Sequence, residues 1–191
     1  MKLHIQETHI PDLVIVRRDP MEDDRGYFVE QFRADAFEAA GLPASFAQIN
    51  QSESRQGVVR GLHFQWDPPQ GKLVRVASGS AYVVSVDIRV GSPTLGQWHA
   101  LELEASPSVQ VWAPAGFARG FCALTDGCVV QYLCTGSYNP KCEGGIRWDD
   151  PELGISWPLD EGIVSEKDRD APTLAEWLER TEAQHFRYEG S

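Results

Sequence analysis

No stretch of the 191-residue chain approaches the roughly 20 consecutive apolar residues that a membrane-spanning helix needs, so a helical membrane protein is not expected. Positive charge is also scarce. Against 28 acidic side chains stand 17 basic ones, and the resulting net charge of -11 argues against broad binding to nucleic acid or to an anionic membrane. An anionic ligand would have to find a local basic pocket. The four cysteines, Cys122, Cys128, Cys134 and Cys142, fit neither a CxxC redox pair nor a zinc ribbon and are expected as buried free thiols. Histidine is equally sparse: His4, His9, His63, His99 and His185 include no HxH pair, and the position two after His63 is Gln65. The expectation is therefore no metal and no cofactor. Repeats, low-complexity tracts and long linkers are missing too, which predicts one domain over 1–191. The opening Met1-Lys-Leu-His-Ile-Gln-Glu has no apolar signal core, so a cytoplasmic location is expected.

What is present is a series of short runs rich in β-branched and aromatic residues: 13–18, 27–33, 72–77 and 81–89. In the last, Tyr82, Val84, Val86 and Ile88 alternate with Ser85 and Asp87, the pattern of a sheet with one buried side. Ser78-Gly79 and Asp126-Gly127 read as hairpin turns joining 72–77 to 81–89 and 121–125 to 128–134. Two short helices are predicted. One covers 34–40 and stops at Gly41; the other carries Leu174, Trp177 and Leu178 behind Thr173 as N-cap. Many strands with short turns indicate an all-β sandwich, jelly roll or barrel.

Several polar positions stand out within these strands. Gln48 and Asn50 place two amides on one strand face, and Gln70-Gly-Lys-Leu-Val-Arg75 opens a strand with Lys72. Strict alternation in Arg60-Gly-Leu-His-Phe-Gln65 sets His63 and Arg60 on opposite faces; they share a pocket only if Gly61 marks a bulge or twist. Tyr132 lies between Val130 and Cys134 on a mostly apolar face, where a phenol needs a hydrogen-bond partner. The aromatic, irregular stretch 138–151, with 155–158 and 165–168 after it, has the character of loops that close over a ligand or an interface.

Taken together, these segments resemble the dTDP-4-dehydrorhamnose 3,5-epimerase family. The similarity runs from Asp24-Arg-Gly-Tyr-Phe-Val-Glu30 through Asp87-Ile-Arg-Val-Gly-Ser-Pro-Thr94 to Ser165-Glu-Lys-Asp168. It implies a cupin-type jelly-roll barrel with a few short peripheral helices, usually a homodimer. It also implies epimerisation of a dTDP-4-keto-6-deoxyhexose at the carbons flanking the ketone. His63 would match the family's base, a role suited to a histidine because its pKa lies near neutrality. Asp168 would orient it, Lys72 would stabilise the enolate oxygen, and Tyr132 would return a proton on the opposite face. Arg25, Glu30, Gln48, Asn50, Arg60, Glu143 and Lys167 would contact the nucleotide or sugar, and Tyr138 would stack.

The chain departs from the family pattern in three places. Gly116-Phe-Ala-Arg-Gly-Phe121 puts Arg119 where the family usually has a ligand-contacting histidine; Leu133 replaces a frequent lysine; and Lys141-Cys142 precede Glu143 where acidic and aromatic residues are usual. The competing expectations are an epimerase of one carbon only, a metal-dependent cupin isomerase or dioxygenase, and a binding module for sugar nucleotides without catalysis.

Overall fold

A computed structural model describes residues 2–190. Thirteen strands are assigned: β1 (Leu3–Glu7), β2 (Val14–Arg18), β3 (Met21–Asp23), β4 (Gly26–Phe28), β5 (Gln48–Ser54), β6 (Val59–Gln65), β7 (Lys72–Ser78), β8 (Ser80–Asp87), β9 (Trp98–Glu104), β10 (Val109–Ala113), β11 (Phe117–Ala123), β12 (Cys128–Cys134) and β13 (Glu143–Gly145). Helices α1 (Ala34–Ala39), α2 (Glu166–Arg169) and α3 (Leu174–Leu178) are short, and a 3-10 turn covers Thr181–His185. No helix among the described residues is long and apolar enough to cross a membrane.

The strands form two antiparallel sheets and a small hairpin. One sheet runs β1-β2-β10-β7-β12-β5, the other β13-β6-β11-β8-β9, and β3 pairs with β4 alone. From β5 to β13 consecutive strands alternate between the large sheets, apart from the neighbours β8 and β9, which is the pattern of a jelly roll. This overturns both expected hairpins: β7 and β8 lie in different sheets, as do β11 and β12. Ser78-Gly79 and Asp126-Gly127 are turns that carry the chain from one sheet to the other; the dipeptides mark tight turns but do not decide which strands pair.

Between the sheets lies a core containing Val74, Val76, Val83, Val111, Phe117, Phe121 and Val130. Each sheet also has a covered outer face. Leu62, Phe64, Val84, Val86 and Ile88 pack beneath Leu174, Trp177 and Phe186, while Val16, Leu73, Trp112 and Leu133 pack beneath Phe37 of α1. Hence β8 has two buried faces, not the one that its alternation suggested: Ser85 and Asp87 are buried as deeply as Val84 and Val86. The Asp87 carboxylate is matched inside the protein by Arg89, Ser92 and Thr94, so alternation in polarity did not mean alternation in exposure.

The predicted helices are found where expected. Gly41 follows α1 with φ +72°, and Thr173 caps α3: its Oγ1 accepts from Glu176 N at 3.2 Å while Glu176 Oε2 accepts from Thr173 N at 2.8 Å. The expected strand 27–33 shrinks to Gly26–Phe28, because the chain then turns inward and Phe32 packs edge-on against Phe37 and Phe46. Cys122, Cys128 and Cys134 are buried free thiols; Cys142 is free but half-buried.

Candidate active site

A cavity of about 500 Å³ opens between the two sheets. Its polar lining includes Arg60, His63, Lys72, Arg119, Tyr132, Lys167 and Asp168, and its apolar wall includes Val59, Val74, Val83, Phe121, Val130 and Ile163.

The backbone of β6 explains why Arg60 and His63 share this space. Arg119 of β11 faces His63, yet Phe121 faces Arg60, so three steps on β6 match two on β11. That is a bulge, centred on Gly61 with φ +119°. A side chain there would also collide: a Cβ on Gly61 would sit 2.6 Å from the Arg119 carbonyl oxygen and 2.7 Å from Gly120 Cα. The bulge inverts the facing of the residues beyond it, and both polar side chains turn inward.

His63 donates from Nε2 to Asp168 Oδ1 at 2.6 Å, which leaves Nδ1 as the nitrogen free to take a proton. Asp168 is nearly buried on α2, where Ser165 Oγ caps its backbone N–H at 3.1 Å, and its Oδ2 accepts from Gly61 N at 3.3 Å. Burial pushes the Asp168 carboxyl up, but the hydrogen bonds from His63, Gly61 and Ser165 outweigh it and hold the group below the usual carboxylate range. An ionised carboxylate is thus fixed behind the imidazole, where it holds the ring's orientation.

Lys72 and Tyr132 come from the other sheet. Lys72 Nζ lies 5.8 Å from the centre of the Tyr132 ring. Burial drives the lysine down to about 8, with Cys134 and Glu143 opposing that shift and Arg119 adding to it. Burial raises the Tyr132 phenol, against a hydrogen bond from Asn50, the residue directly opposite on β5. The phenol is therefore protonated at neutral pH.

A string of polar contacts continues from Asn50 to the rim. Gln48 Nε2 donates to Asn50 Oδ1 at 2.8 Å, Gln48 Oε1 accepts from Tyr138 N at 2.8 Å, and Tyr138 Oη donates to Glu143 Oε1 at 2.9 Å. Glu143 is also paired with Lys167. Arg60 donates to Ser54 Oγ at 3.0 Å and to the Glu53 carbonyl at 3.1 Å.

Six expected site residues do not line the cavity: Gln48, Asn50, Tyr138 and Glu143 are tied to it through the contacts just given, whereas Arg25 and Glu30 stand apart from it. Arg25 sits on the exposed β3–β4 hairpin, paired with Asp23 at 2.6 Å, and Glu30 lies beyond that hairpin beside Arg18 and Arg33. Neither lines the cavity of its own chain. Conversely, Ser52 and the strap formed by Ile163 and Val164, just before the 165–168 stretch, do line it and were not singled out from the sequence. Ser52 could have been found by extending the alternation Gln48, Asn50 one more step along β5. The strap had no such signal, since its place depends on Val59 N donating to the Ile163 carbonyl at 3.0 Å.

Among the described residues no group of three or more His, Cys, Asp or Glu could hold a metal ion. Gln65, two positions after His63, serves the backbone: its Nε2 donates to the carbonyls of Pro68 and Ser137 at 2.8 and 2.9 Å, and its Oε1 accepts from Asn139 N at 2.8 Å.

Comparison with known proteins agrees with this geometry. A family model described as dTDP-4-dehydrorhamnose 3,5-epimerase matches residues 7–176. A protein of that name from Methanothermobacter thermautotrophicus is 46% identical over 173 residues, covering 89% of this chain and 94% of its own. Another from Pseudomonas aeruginosa is 47% identical over 169 residues, 87% of this chain and 93% of its own. The crystal structure of dTDP-6-deoxy-D-glucose-3,5-epimerase from Legionella pneumophila, in complex with dTDP-4-keto-L-rhamnose, aligns with a TM-score of 0.92 at 41% identity, covering 98% of this chain and 100% of that one.

Proposed function

The chain belongs to the dTDP-4-dehydrorhamnose 3,5-epimerase family, and from that premise we propose that it inverts both carbons flanking the ketone of a dTDP-4-keto-6-deoxyhexose, with His63 as base and Tyr132 as acid. The observation that carries this reading is their placement. His63 enters the cavity from β6 of one sheet and Tyr132 from β12 of the other, so a sugar between the sheets has a base on one face and a phenol on the other.

The mechanism follows from that arrangement. His63 Nδ1 takes the proton beside the ketone, the C–H electron pair moves into the carbon–carbon bond, and negative charge develops on the C4 oxygen. Lys72 offers that oxygen an ammonium in a water-poor setting, where such a donor lowers the barrier by about 3–4 kcal/mol. Tyr132 then gives its proton to the carbon from the opposite side, and the carbonyl re-forms. Asp168 keeps the imidazole oriented and stabilises its cation. Arg60 and Lys167 take the diphosphate at the mouth; Gln48, Asn50, Tyr138 and Glu143 order the rim.

The reading includes a homodimer. Met21, Tyr27 and Phe28 are large apolar side chains, 59%, 61% and 62% exposed on the β3–β4 hairpin that also carries Arg25. A second copy covering this hairpin would bury them and bring Arg25 and Glu30 near a ligand that they do not reach within their own chain.

The test is incubation with dTDP-4-keto-6-deoxyglucose in deuterated water, followed by NMR. Label at carbons 3 and 5 with inverted product is expected. Label at one carbon alone identifies a single-carbon epimerase, and none at either overturns the epimerase reading.

A further inference from the structure

Buried side-chain polar atoms without a hydrogen-bond partner occur among the described residues in Arg18, Ser52, His99, Gln110, Arg119 and Trp177. Of these, only Ser52 and Arg119 line the cavity. Arg119 is 6% exposed, and neither its Nε nor its Nη2 has a partner; Nη1 alone is engaged, donating to the Lys72 carbonyl at 3.2 Å. Leaving a buried donor unmatched costs about 1–3 kcal/mol, more when the group is charged. Native proteins keep such groups where something else completes them.

The position of Arg119 says what that something is. It stands opposite His63 across the β6–β11 ladder, so the two side chains project from the same face into the cavity. Its guanidinium reaches across to the start of β7, beside Lys72. Arg60 and Lys167, exposed at the mouth, are available for a diphosphate. Arg119 lies deep in the cavity, on the reacting side of the site. The half-buried Lys72 and the buried Arg119 repel each other, and Glu143 is the carboxylate that acts against this, on Lys72. That arrangement is unfavourable in the empty enzyme and becomes favourable when an anion forms between them.

We propose that Arg119 is a second donor to the C4 oxygen, placed with Lys72 so that the enolate generated at either flanking carbon is held by two cations. The proposal rests on the epimerase reading and goes beyond it. Where the family resemblance leads one to expect a histidine, this chain has a guanidinium, charged at neutral pH and able only to donate. The proton still moves from carbon to His63 Nδ1, leaving an imidazolium, and a different proton moves from Tyr132 to carbon, leaving a phenolate; the arginine exchanges none and answers only to the charge that appears and disappears on the C4 oxygen.

Because both enolates place their charge on the same oxygen, the experiment has a signature that other roles lack. Deuterium wash-in at carbons 3 and 5 is measured for wild type, Arg119→Met and Arg119→Lys, alongside the affinity for dTDP without a sugar. Arg119→Met is expected to slow wash-in at both carbons by one common factor of about 10- to 100-fold, with dTDP affinity within about twofold of wild type. Arg119→Lys, which keeps the charge, is expected to recover most of the loss. If the methionine variant folds poorly, Arg119→Gln carries the same expectation. Unequal slowing at the two carbons, a loss of dTDP affinity in step with wash-in, or unchanged wash-in each overturns the proposal. Absence of wash-in in wild type itself would instead defeat the epimerase reading beneath it.

Discussion

Two buried arginines flank the same pair of strands and live opposite lives. Arg89, just past β8, donates from Nε and Nη2 to the two oxygens of Asp87, each at 2.9 Å, from Nη1 to Asp12 at 2.6 Å, and from Nη2 to the Pro11 carbonyl at 3.0 Å. Its guanidinium is sandwiched between Phe117 and Tyr188, 4.6 and 4.8 Å from their ring centres. Burial alone would lower its pKa, but Asp87 and Asp12 raise it above the ordinary value. Arg119, two residues beyond Phe117 on β11, has two empty donors and is driven down to about 9 by burial. The first charge is completed by the fold and holds it together. The second is left for chemistry, and the fold carries it at a cost in stability.

That contrast separates variants by what they should lose. The largest effect belongs to the cavity: His63→Asn removes the proton acceptor and is expected to lower turnover by up to about 10⁴-fold while the melting temperature barely moves. A large fall in melting temperature would mean that His63 supports the fold, and the contrast would break. Next in size is Arg89→Met, which strands the Asp87 carboxylate at 0% exposure; chemical denaturation should show about 3–5 kcal/mol lost, with the folded fraction retaining its kcat.

Lys72→Met combines both lessons. Turnover should fall about 10²- to 10³-fold, yet stability at neutral pH should rise by about 1–3 kcal/mol because a desolvated charge that Glu143 offsets only in part is gone. The sign follows from the lysine's lowered pKa. Between pH about 8 and 10.5 the folded chain binds fewer protons at this site than the unfolded one, so wild-type stability gains as pH climbs through that window. Lys72→Met removes that gain, and wild-type activity should decline above pH about 8 as the donor deprotonates. The smallest effect tests a purely structural device: Thr173→Ala breaks the α3 capping box and should reduce stability by about 1 kcal/mol without changing kinetics.

How much of this could be read from the sequence depended on how local each feature is. The helices and most strands were legible because periodicity and capping are written in neighbouring residues, as Thr173 and Gly41 illustrate. Strand pairing was not. Asp126-Gly127 encodes a tight turn, but whether it closes a hairpin or crosses between sheets is decided by the packing of Phe121 and Val130 from opposite walls of the core. The second buried face of β8 was hidden for a similar reason, since Asp87 reads as solvent-facing until Arg89, Ser92 and Thr94 are brought to it.

The proposed catalytic group shows the same division. Family resemblance pointed to His63, Lys72, Tyr132 and Asp168, but local alternation separated His63 from Arg60. Only the bulge at Gly61, seen as a register shift against β11, reunites them. The empty donors of Arg119 could not be inferred from residue type, because an arginine in sequence gives no sign of whether it will find partners.

The placement of base and acid on opposite walls is tested most directly by Tyr132→Phe in deuterated water. With His63 intact and the phenol gone, the account predicts that label enters the carbons flanking the ketone from the His63 side while inverted product falls by at least about 10²-fold. Inverted product formed at close to the wild-type rate would contradict it, since some group other than Tyr132 would then deliver the proton to the far face.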